Sequence, residues 1–521
     1  MTKQKIKQYL GLALFYLFLG TLLTANCFGY LDPDFGWHLR VGESIALTKS
    51  LPHDQVYMWT LANKQWVDHE WLGNLLTYKL WEFNGYLAVA TFFILLPLLA
   101  IFILNKYLFK NYLKEQKQRF YFAGIETLAL VGCLPHFGVR LQEITFLFTI
   151  ILFIIIDSCR RRQNIKLAWW LIPLLFLWSC LHGGFLFGVA VAIGWLIYEI
   201  LIKKIPQIAN YYQEKSLATK KIIFLLAIII LTFLGTFLTP YGLKLYSFLS
   251  DYGKNNYYMS HIEEWRTPFS ISLCYTQIFY MMLIIVLMIA SKTYSKKNLP
   301  LWKLCLSGLL LIMAIRSVRH FPLWAAGSLI FLLPQTIKKI ADDTYVPYSK
   351  KLKFVLISCL VLVTLILILK IKPIKEPFKN FCAYYPCGAV QFLKNNPQYG
   401  DLKMFNDYGW GGFIIGVWPT QKLFIDGRLP QYDYKNHTIL EEYNEFFIDG
   451  KVADKLNEQQ INLVLFKSKE APFKPDPIEQ MIFNVKPKEQ KNPLLEYLTS
   501  SADWEKVYSD QLSVIYVRKN K

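Results

Sequence analysis

Long apolar runs alternate with short basic stretches along the first 370 residues of this 521-residue chain. A helix needs about 20 mainly apolar residues to cross a bilayer, and eleven runs come near that length. They lie near residues 8–30, 86–105, 120–138, 143–157, 167–182, 183–203, 221–240, 271–290, 300–317, 319–337 and 353–370. The pattern therefore predicts a polytopic α-helical membrane protein with about eleven transmembrane helices.

The pattern changes after residue 370, where β-rich runs alternate with helix-like stretches. The β-rich runs are LKMF, QKLFIDG, INLVLF and LSVIYVR, and the helix-like stretches are AVQFLKNN, TILEEYNEFF, VADKLNEQQ and PLLEYLTSSA. This alternation indicates an α/β domain, and roughly 150 residues are enough to bury a core. We therefore predict a transmembrane domain over 1–370 with a long first outer loop over 31–85, followed by a soluble α/β domain over 371–521.

Basic residues give these segments an orientation, because Lys and Arg accumulate in cytoplasmic loops. With a cytoplasmic N-terminus, the predicted inner loops hold 26 Lys and Arg residues and the outer stretches hold 9. The C-terminal domain then lies outside the cytoplasm. We predict a multi-pass protein of the inner or plasma membrane with an extracytoplasmic C-terminal domain.

Composition agrees with a membrane protein, since 54% of the residues are hydrophobic and the mean hydropathy is +0.28. Residues 371–521 carry 20 basic and 19 acidic residues, so nearly all of the net charge of +20 arises in the membrane half. The topology explains this excess, and we expect no nucleic-acid partner. On the outer side, Cys382 and Cys387 either form a local disulfide or remain free thiols.

Ionisable residues gather on the predicted outer side, at or beside the ends of the apolar runs. They are Asp32, Asp34, His38, Arg40, Asp68, His69, Glu70, Arg140, Glu143, His182, Glu263, Glu264, Arg266, Arg316, Arg319 and His320. Such groups tend to line a cavity or pair with one another, although helix-end charges at the interface are the alternative. Carboxylates and cations together suit group transfer from a phosphorylated lipid, where a carboxylate deprotonates the acceptor and cations hold the phosphate.

One stretch carries a resemblance to a known family. The pair in Asp32-Pro33-Asp34, followed by a long outer loop and many further apolar runs, resembles the GT-C superfamily of polyprenyl-phosphate-dependent glycosyltransferases. The strings DPDFGWHLRVGE, WVDHEWLGNLLTYKLW, LWSCLHGGFLFG, HIEEWRTP and FNDYGWGGFIIGVWPTQKLFIDGR are similar to uncharacterised bacterial GT-C-like membrane proteins. The resemblance implies a polyprenyl-phosphate sugar donor, a glycan, lipid or protein acceptor, and contact with membrane lipid.

The resemblance also assigns catalysis to the first carboxylate pair. Asp34 is the expected catalytic base and Asp32 the second choice, although either could instead cap a helix starting near Gly36. The resemblance does not imply an obligatory cofactor. A divalent cation, Mg²⁺ or Mn²⁺, held by Asp34 and Glu264 is an open alternative. A salt bridge between Glu264 and Arg266 is the alternative.

Other residues are expected to hold the donor or support the site. The donor phosphate would be bound by Arg140, Arg316, Arg319 and His320, with snorkelling at the membrane interface as the alternative. The supporting residues would be His38, Arg40, His69, Glu70, His182 and Glu264. His38 and Arg40 are two positions apart on a predicted helix, so only one should reach the cavity. Asp68 could cap a helix beginning at His69, and His182 could be a hydrogen-bonded interior residue.

The C-terminal domain contains a further partial match. Asp407-Tyr408-Gly409 resembles the end of the W-W-D-Y-G signature of oligosaccharyltransferase catalytic subunits, which places Asp407 and Tyr408 on the acceptor side. A tight packed loop is the alternative. Asp426 and Arg428 are expected to form a turn after a strand, with an acceptor contact as the lesser alternative.

These inferences favour an integral membrane glycosyltransferase of the GT-C type. An oligosaccharyltransferase or glycan ligase is the main alternative among enzymes. A transporter or flippase for a lipid-linked substrate is the alternative from another class, and it predicts charges through the membrane midplane. Because the charges collect on one face, the sequence favours the enzyme. An inactive scaffold with the same fold is a third alternative.

Overall fold

The computed structural model is mostly helical in the residues that it describes. Residues 271–290, one of the predicted spans, lie outside the part that the structure describes. The described residues are 3–269, 300–343, 350–469, 480–481, 484, 486 and 491–519.

Five helices in the described part are long and apolar enough to cross a membrane. They are Leu10–Gly29, Trp71–Asn111, Gln142–Arg162, Phe185–Lys204 and Thr219–Thr236. The other described runs coincide with helices that are shorter or less apolar, including Ile165–Leu181 and Ile357–Lys370. The count of eleven spans is therefore not confirmed, while a chain with several membrane-length helices is.

The chain divides into two compact units, and neither is continuous in sequence. The first unit consists of Met1–Gly29, Ala90–Leu243 and Glu263–Pro373, and the second of Tyr30–Val89, Lys244–Ile262 and Ile374–Lys521. Compactness thus groups the predicted first outer loop with the C-terminal region. The division of the chain at residue 370 concerns membrane insertion and stays a prediction.

The first unit is built from helices. In the helix Gln142–Arg162, Glu143 lies in the first turn and three arginines lie in the last turn. Each of these charges interacts favourably with the helix dipole and so stabilises the helix. The α-helices of this unit are Lys3–Gly29, the later part of Trp71–Asn111, Gln116–Cys133, Gln142–Arg162, Leu171–Leu181, Phe185–Lys204, Pro206–Tyr211, Thr219–Thr236, Leu301–Arg316, Phe321–Gly327, Leu333–Asp343 and Lys350–Lys370.

The helix Trp71–Asn111 contains a break that coincides with a predicted boundary. Asn84 and Gly85 leave the helical conformation, and Gly85 has a positive φ of 58°, which glycine adopts without a Cβ clash. The break lies where the predicted outer loop ends and the second apolar run begins. Residues before it form a helix of the second unit.

A four-stranded sheet forms the centre of the C-terminal part of the second unit. Its order is β1 (Met404–Asn406), β4 (Leu463–Lys467), β6 (Ser513–Arg518) and β5 (Trp504–Ser509), with β1 and β4 parallel and the remaining pairs antiparallel. Strands β2 (Asp433–Tyr434) and β3 (His437–Thr438) form a separate antiparallel pair. The α-helices of this unit are Phe35–Thr48, the first part of Trp71–Asn111, Leu243–Lys254, Asn256–His261, Pro377–Asn380, Cys387–Asn395, Gly411–Val417, Ile439–Glu445, Val452–Glu458 and Pro493–Ser500.

Most predicted elements of this region are confirmed, and two predictions need correction. LKMF, INLVLF and LSVIYVR each overlap a strand, and the four helix-like stretches are mainly helical. QKLFIDG is not a strand, because only Leu423 in it pairs, through an isolated bridge to Met58. Strand β5 was missed because it lies at the sheet edge, where charged residues such as Glu505 and Lys506 are exposed and the apolar signal is weak.

Glycines allow two helices of the second unit to cross closely. A Cβ atom on Gly36 would lie 2.1 Å from the Gly412 carbonyl oxygen, and one on Gly412 would lie 2.1 Å from the Pro33 carbonyl oxygen. Such contacts require a residue without a side chain. The crossing of Phe35–Thr48 with Gly411–Val417 therefore fixes the position of the loop that contains Asp32 and Asp34.

A disulfide holds a second segment against the same loop. Cys382 and Cys387 are bonded, which decides between the two states that the sequence left open. The segment between them carries Tyr385, whose hydroxyl donates to the Leu31 carbonyl oxygen at 2.7 Å and whose ring stacks on Phe413 at 4.7 Å. Tyr385 thus ties the disulfide segment to the residue immediately before Asp32.

Candidate functional site

The predicted site residues are divided between the two compact units. Arg140, His182, Glu264, Arg316, Arg319 and His320 belong to the first unit, and Asp32, Asp34, His38, Arg40, His69, Glu70, Asp407 and Tyr408 belong to the second. Each unit therefore presents its own cluster of polar groups.

Asp32 and Asp34 form a tight turn before the helix Phe35–Thr48. The Asp32 carboxylate is buried and its Oδ1 accepts a hydrogen bond of 2.9 Å from the Asp34 backbone N–H. Asp34 occupies the N-cap position, yet its side chain makes no capping hydrogen bond. The turn thus orders Asp32 internally and leaves the half-buried Asp34 carboxylate to interactions other than capping.

A buried network connects His38 to Asp68 through Asn74. The Asn74 Oδ1 atom lies 2.6 Å from His38 Nδ1, and Asn74 Nδ2 donates to both Asp68 carboxylate oxygens at 2.9 Å. With this amide orientation, His38 Nδ1 is the donor, which fixes the imidazole tautomer. Glu70 also lies 4.0 Å from the same nitrogen. The sequence did not single out Asn74, because a lone amide on a helix carries no distinctive signal.

Asp68 is a network residue more than a helix cap. Its Oδ1 accepts from the Glu70 N–H at 3.2 Å, but the helix begins at Trp71 instead of His69. Burial raises the pKa of Asp68 to about 6, against the opposing hydrogen bonds from Asn74 and Glu70 and the charge of Arg428. A carboxyl group with this pKa changes its protonation state near neutral pH.

His38 and Arg40 have different partners. Arg40 Nε and Nη2 donate to the Gly416 carbonyl oxygen at 2.9 and 2.7 Å, and Nη1 contacts Glu43 at 2.6 Å. A cation at the end of the helix Gly411–Val417 interacts favourably with its carbonyl groups. Arg40 therefore supports the helix crossing, while His38 belongs to the buried network.

His69 packs among aromatic rings of the second unit. Its ring lies 5.3 Å from that of Phe248 and 6.2 Å from that of Tyr252, and its Nε2 atom lies 3.6 Å from Glu70 Oε1. The surroundings combine an apolar stacking surface with a carboxylate. They position His69 beside the same glutamate that approaches His38.

Asp426 and Arg428 form the predicted turn and also a buried ion pair. Asp426 Oδ1 accepts from the Arg428 backbone N–H at 2.9 Å and from its Nε at 3.0 Å, and Oδ2 accepts from Nη2 at 2.7 Å. Both side chains are fully buried. The guanidinium group also lies 4.8 Å from the rings of Tyr57 and Trp66. This bidentate, stacked geometry suits arginine and not lysine.

Asp407 and Tyr408 lie in a tight turn after strand β1. Asp407 Oδ1 accepts from the Gly409 N–H at 3.0 Å, and Oδ2 lies 3.2 Å from Lys467 Nζ. The Tyr408 N–H donates to the Tyr443 hydroxyl at 3.2 Å. These bonds describe the packed-loop alternative in detail, and an acceptor-side role for the two residues stays a prediction.

Two arginines converge on one carboxylate in the first unit. Glu264 Oε1 accepts from Arg140 Nη2, and Glu264 Oε2 accepts from Arg319 Nη1 at 3.1 Å. The Arg319 guanidinium also lies 4.9 Å from the Trp265 ring. Burial favours the neutral carboxyl, but the two guanidinium charges outweigh it and lower the pKa of Glu264 to about 2. His136 lies close enough to interact electrostatically with this group.

These contacts give the cluster a net positive charge, since two guanidinium groups share one carboxylate. An arginine pair presents planar N–H groups that match phosphate or carboxylate oxygens. Both oxygens of Glu264 are already bonded to arginine nitrogens, so Glu264 does not fit the role of a metal ligand. The arrangement suits an anion and not a divalent cation.

The remaining predicted residues of the first unit have varied surroundings. His182 Nδ1 accepts from the Gly184 N–H at 2.9 Å and lies 2.7 Å from Thr145 Oγ1, as expected for a hydrogen-bonded interior histidine. His320 Nδ1 lies 3.3 Å from the Met313 carbonyl oxygen, and Arg316 is exposed. Of the four predicted phosphate-binding residues, Arg140 and Arg319 are thus joined through Glu264.

A second ionic network lies at the opposite end of helix Gln142–Arg162. Lys303 Nζ lies 2.8 Å from Asp157 Oδ1, and Arg160 pairs with Glu199 and Glu214. At 1.5 Å per residue, Arg160 is about 25 Å along the helix from its first turn. Sequence reasoning missed this network because it counted Arg160, Glu214 and Lys303 as part of cytoplasmic loops and did not single out Asp157 or Glu199 within the apolar runs. The buried ionisable groups of the first unit are therefore not limited to those that the sequence singled out.

A third group of potential ligands lies in the second unit. His437, Glu442 and Glu445 are close enough together to hold a metal ion. Lys455 Nζ, however, lies 3.2 Å from Glu442 Oε2 and 2.5 Å from Glu445 Oε2. Lys451 Nζ also lies 3.9 Å from Glu445 Oε1, so two ammonium groups face the two glutamates and the group is an ion-pair network.

No known protein-family model matches this chain, and no curated protein matches it. The chemistry of the clusters described above therefore carries the functional argument.

Proposed function

We propose that this protein is an integral membrane glycosyltransferase that transfers a sugar from a polyprenyl-phosphate donor to an acceptor on the extracytoplasmic face. The observation that carries the proposal is the pair Arg140 and Arg319 on Glu264, in a unit made mostly of apolar helices. Such a cluster suits the phosphate of a lipid-linked donor. Inverting transfer also needs a carboxylate base, for which Asp34 is the candidate.

The proposed reaction balances without a redox partner. The acceptor oxygen attacks the anomeric carbon of the donor while the bond between that carbon and the phosphate oxygen breaks. The electron pair leaves with the phosphate, whose charge the arginines stabilise. The proton of the acceptor passes to Asp34. The products are an inverted glycoside and free polyprenyl phosphate.

The test is the release of free polyprenyl phosphate by the purified protein from a panel of polyprenyl-phosphate sugars. Asp34→Asn removes the proposed base, and Arg319→Ala removes one phosphate contact. Turnover by Asp34→Asn should be lower than that of the parent by about 100-fold or more, the range expected for loss of a general base. Arg319→Ala should lower kcat/KM, because the guanidinium group binds the donor phosphate and stabilises the charge that develops on it as the bond breaks.

Two substitutions serve as matched controls. Asp401→Asn and Arg162→Ala change exposed charged residues of the same types and should leave turnover within two-fold of the parent. Turnover that survives in Asp34→Asn contradicts the assignment of the base. A parent without turnover on any donor contradicts the glycosyltransferase proposal.

The ionic network around Asp157, Arg160 and Lys303 favours a second candidate, a transporter or flippase for a lipid-linked substrate. Asp157 and Arg160 are buried and belong to a helix long enough to cross a membrane, and ionisable residues in such helices often mark a substrate path. Transbilayer movement of the lipid-linked sugar in vesicles, without release of polyprenyl phosphate, would support this candidate. An oligosaccharyltransferase or ligase would release polyprenyl phosphate only with an oligosaccharide donor.

A further inference from the structure

We infer that the turn Asp426-Gly427-Arg428 is a positioning element for the Asp34 carboxylate. The inference rests on the proposed function, in which Asp34 is the catalytic base. It adds residues from a segment almost 400 positions away along the chain. The argument proceeds from the contact between Asp34 and Gly427 to the groups that hold the turn in place.

Gly427 lies directly against the Asp34 carboxylate. A Cβ atom on Gly427 would lie 2.1 Å from Asp34 Oδ1 and 3.1 Å from its Cγ. Contacts this short do not occur between real atoms, so any side chain at 427 must displace the carboxylate or the turn. Gly427 has no positive φ in the structure, so the requirement for glycine comes from space and not from backbone conformation.

The turn cannot easily move away, because the ion pair beside Gly427 anchors it. Asp426 and Arg428 are joined by three hydrogen bonds and are fully buried. The Arg428 guanidinium is further held between Tyr57 and Trp66. The turn that lies against the Asp34 carboxylate is therefore more rigid than a surface turn would be.

A second contact fixes Asp426 from the other side. A Cβ atom on Gly411 would lie 2.8 Å from the Asp426 Cα, and the adjacent Gly412 touches Pro33 in the same way. The start of helix Gly411–Val417 is thus in contact with both the turn and the residue before Asp34. These contacts fix the position of the Asp34 carboxylate relative to the turn Asp426-Gly427-Arg428.

Precise placement is what general-base catalysis demands, since a displacement of about 1 Å can cost about 100-fold in rate. The Gly427 contact restricts the carboxylate to one side of the turn. A role of this kind acts through Asp34, so Gly427 and Arg428 are positioning residues.

The test is Gly427→Ala in the full-length protein, measured by polyprenyl-phosphate release on the donor that the parent uses. We expect kcat to fall at least 10-fold while the donor KM stays within two-fold. The acid limb of the pH–rate profile should also move, because a displaced carboxylate has new neighbours. A loss of folded protein alone would lower the rate without moving this limb.

Gly253→Ala is the matched control, since Gly253 lies in the same unit with nothing within 4 Å of the added Cβ. It should keep the parent kcat and pH profile. Arg428→Lys, which retains the charge but not the bidentate stacked geometry, should lower kcat less than Gly427→Ala and move the profile in the same direction.

The outcomes separate the inference from the proposed function. Parent-like kcat and pH profile in Gly427→Ala, with turnover lost in Asp34→Asn, overturn the positioning role and leave the glycosyltransferase proposal intact. A parent without turnover on any donor overturns both, because the positioning role is defined by catalysis at Asp34.

Discussion

Removal of one partner from the buried pair of Asp426 and Arg428 should strongly destabilise the protein. Arg428→Met keeps much of the side-chain length and leaves the Asp426 carboxylate buried without its cation. Breaking a buried pair in this way typically costs about 3–5 kcal/mol. Two hydrogen bonds from the guanidinium to the carboxylate are lost, at 3.0 and 2.7 Å, and hydrogen bonds to charged groups contribute about 1.5–3 kcal/mol each.

Thermal unfolding of the purified protein, followed by tryptophan fluorescence, measures this effect. For a unit of roughly 200 residues, 1 kcal/mol corresponds to about 2–4 °C in Tm, so Arg428→Met should lower Tm by roughly 10 °C. The double variant Asp426→Asn/Arg428→Met removes both charges and keeps an acceptor for the backbone N–H of residue 428. It should recover more than half of the loss, since the uncompensated buried charge is gone.

Lys435→Met is the control, because Lys435 and Glu458 form a surface pair with side chains 46% and 47% exposed. Exposed pairs contribute about 0–1 kcal/mol, so its Tm should change by less than about 3 °C. A similarly small change in Arg428→Met would refute the reasoning about burial. A double variant as unstable as Arg428→Met would refute the attribution of the loss to an unpaired charge.

Three further predictions concern charge and covalent structure. Glu264 has a pKa near 4.5 in the unfolded chain and about 2 in the fold, so its carboxylate stabilises the folded state most at pH values above 4.5. The Tm of Glu264→Gln should therefore lie below that of the parent by a constant amount above pH 4.5, and this difference should shrink towards pH 2. The raised pKa of Asp68 acts in the opposite sense, because the buried carboxylate is less stable than the buried acid. Relative to Asp68→Asn, the free energy of unfolding of the parent should fall by up to about 3 kcal/mol as pH rises from about 4 to 6. A difference between the two proteins that does not change with pH would contradict this. Replacement of Cys382 and Cys387 by alanine should cost about 2 kcal/mol, the loop entropy of a short disulfide. Alkylation of these two thiols before reduction would show that the bond does not form.

Most strands and helices of the C-terminal region agree with the pattern of apolar residues for a simple reason. Strands β4 and β6 and the helices Ile439–Glu445 and Val452–Glu458 were predictable, because the periodicity of buried positions is encoded locally. The run QKLFIDG was misread as a strand since it is equally apolar. Its backbone instead bonds to residues near Met58 and to the Asn406 side chain, which accepts from the Phe424 N–H at 2.9 Å. A periodicity argument cannot show such partners.

The candidate site was predictable in its residue types and less so in its contacts. Charge at helix ends identified Arg140, Glu264 and Arg319, and the structure joins these three. The network of Asp157 and Arg160 was overlooked, because arginines and lysines near the ends of apolar runs are also what loops contain. Only the fold reveals that these side chains turn inward and pair.

By itself, the sequence determined the mainly helical character of the described residues before 370, the boundary near Gly85 and the mixed α/β character of the C-terminal region. Local hydrophobicity and backbone preference are sufficient for these features. Tertiary structure alone decided that residues 30–89 join the C-terminal region in one compact unit and that Gly427 lies against Asp34. Contacts between segments almost 400 residues apart depend on how whole surfaces fit together, and no short stretch of sequence encodes that fit.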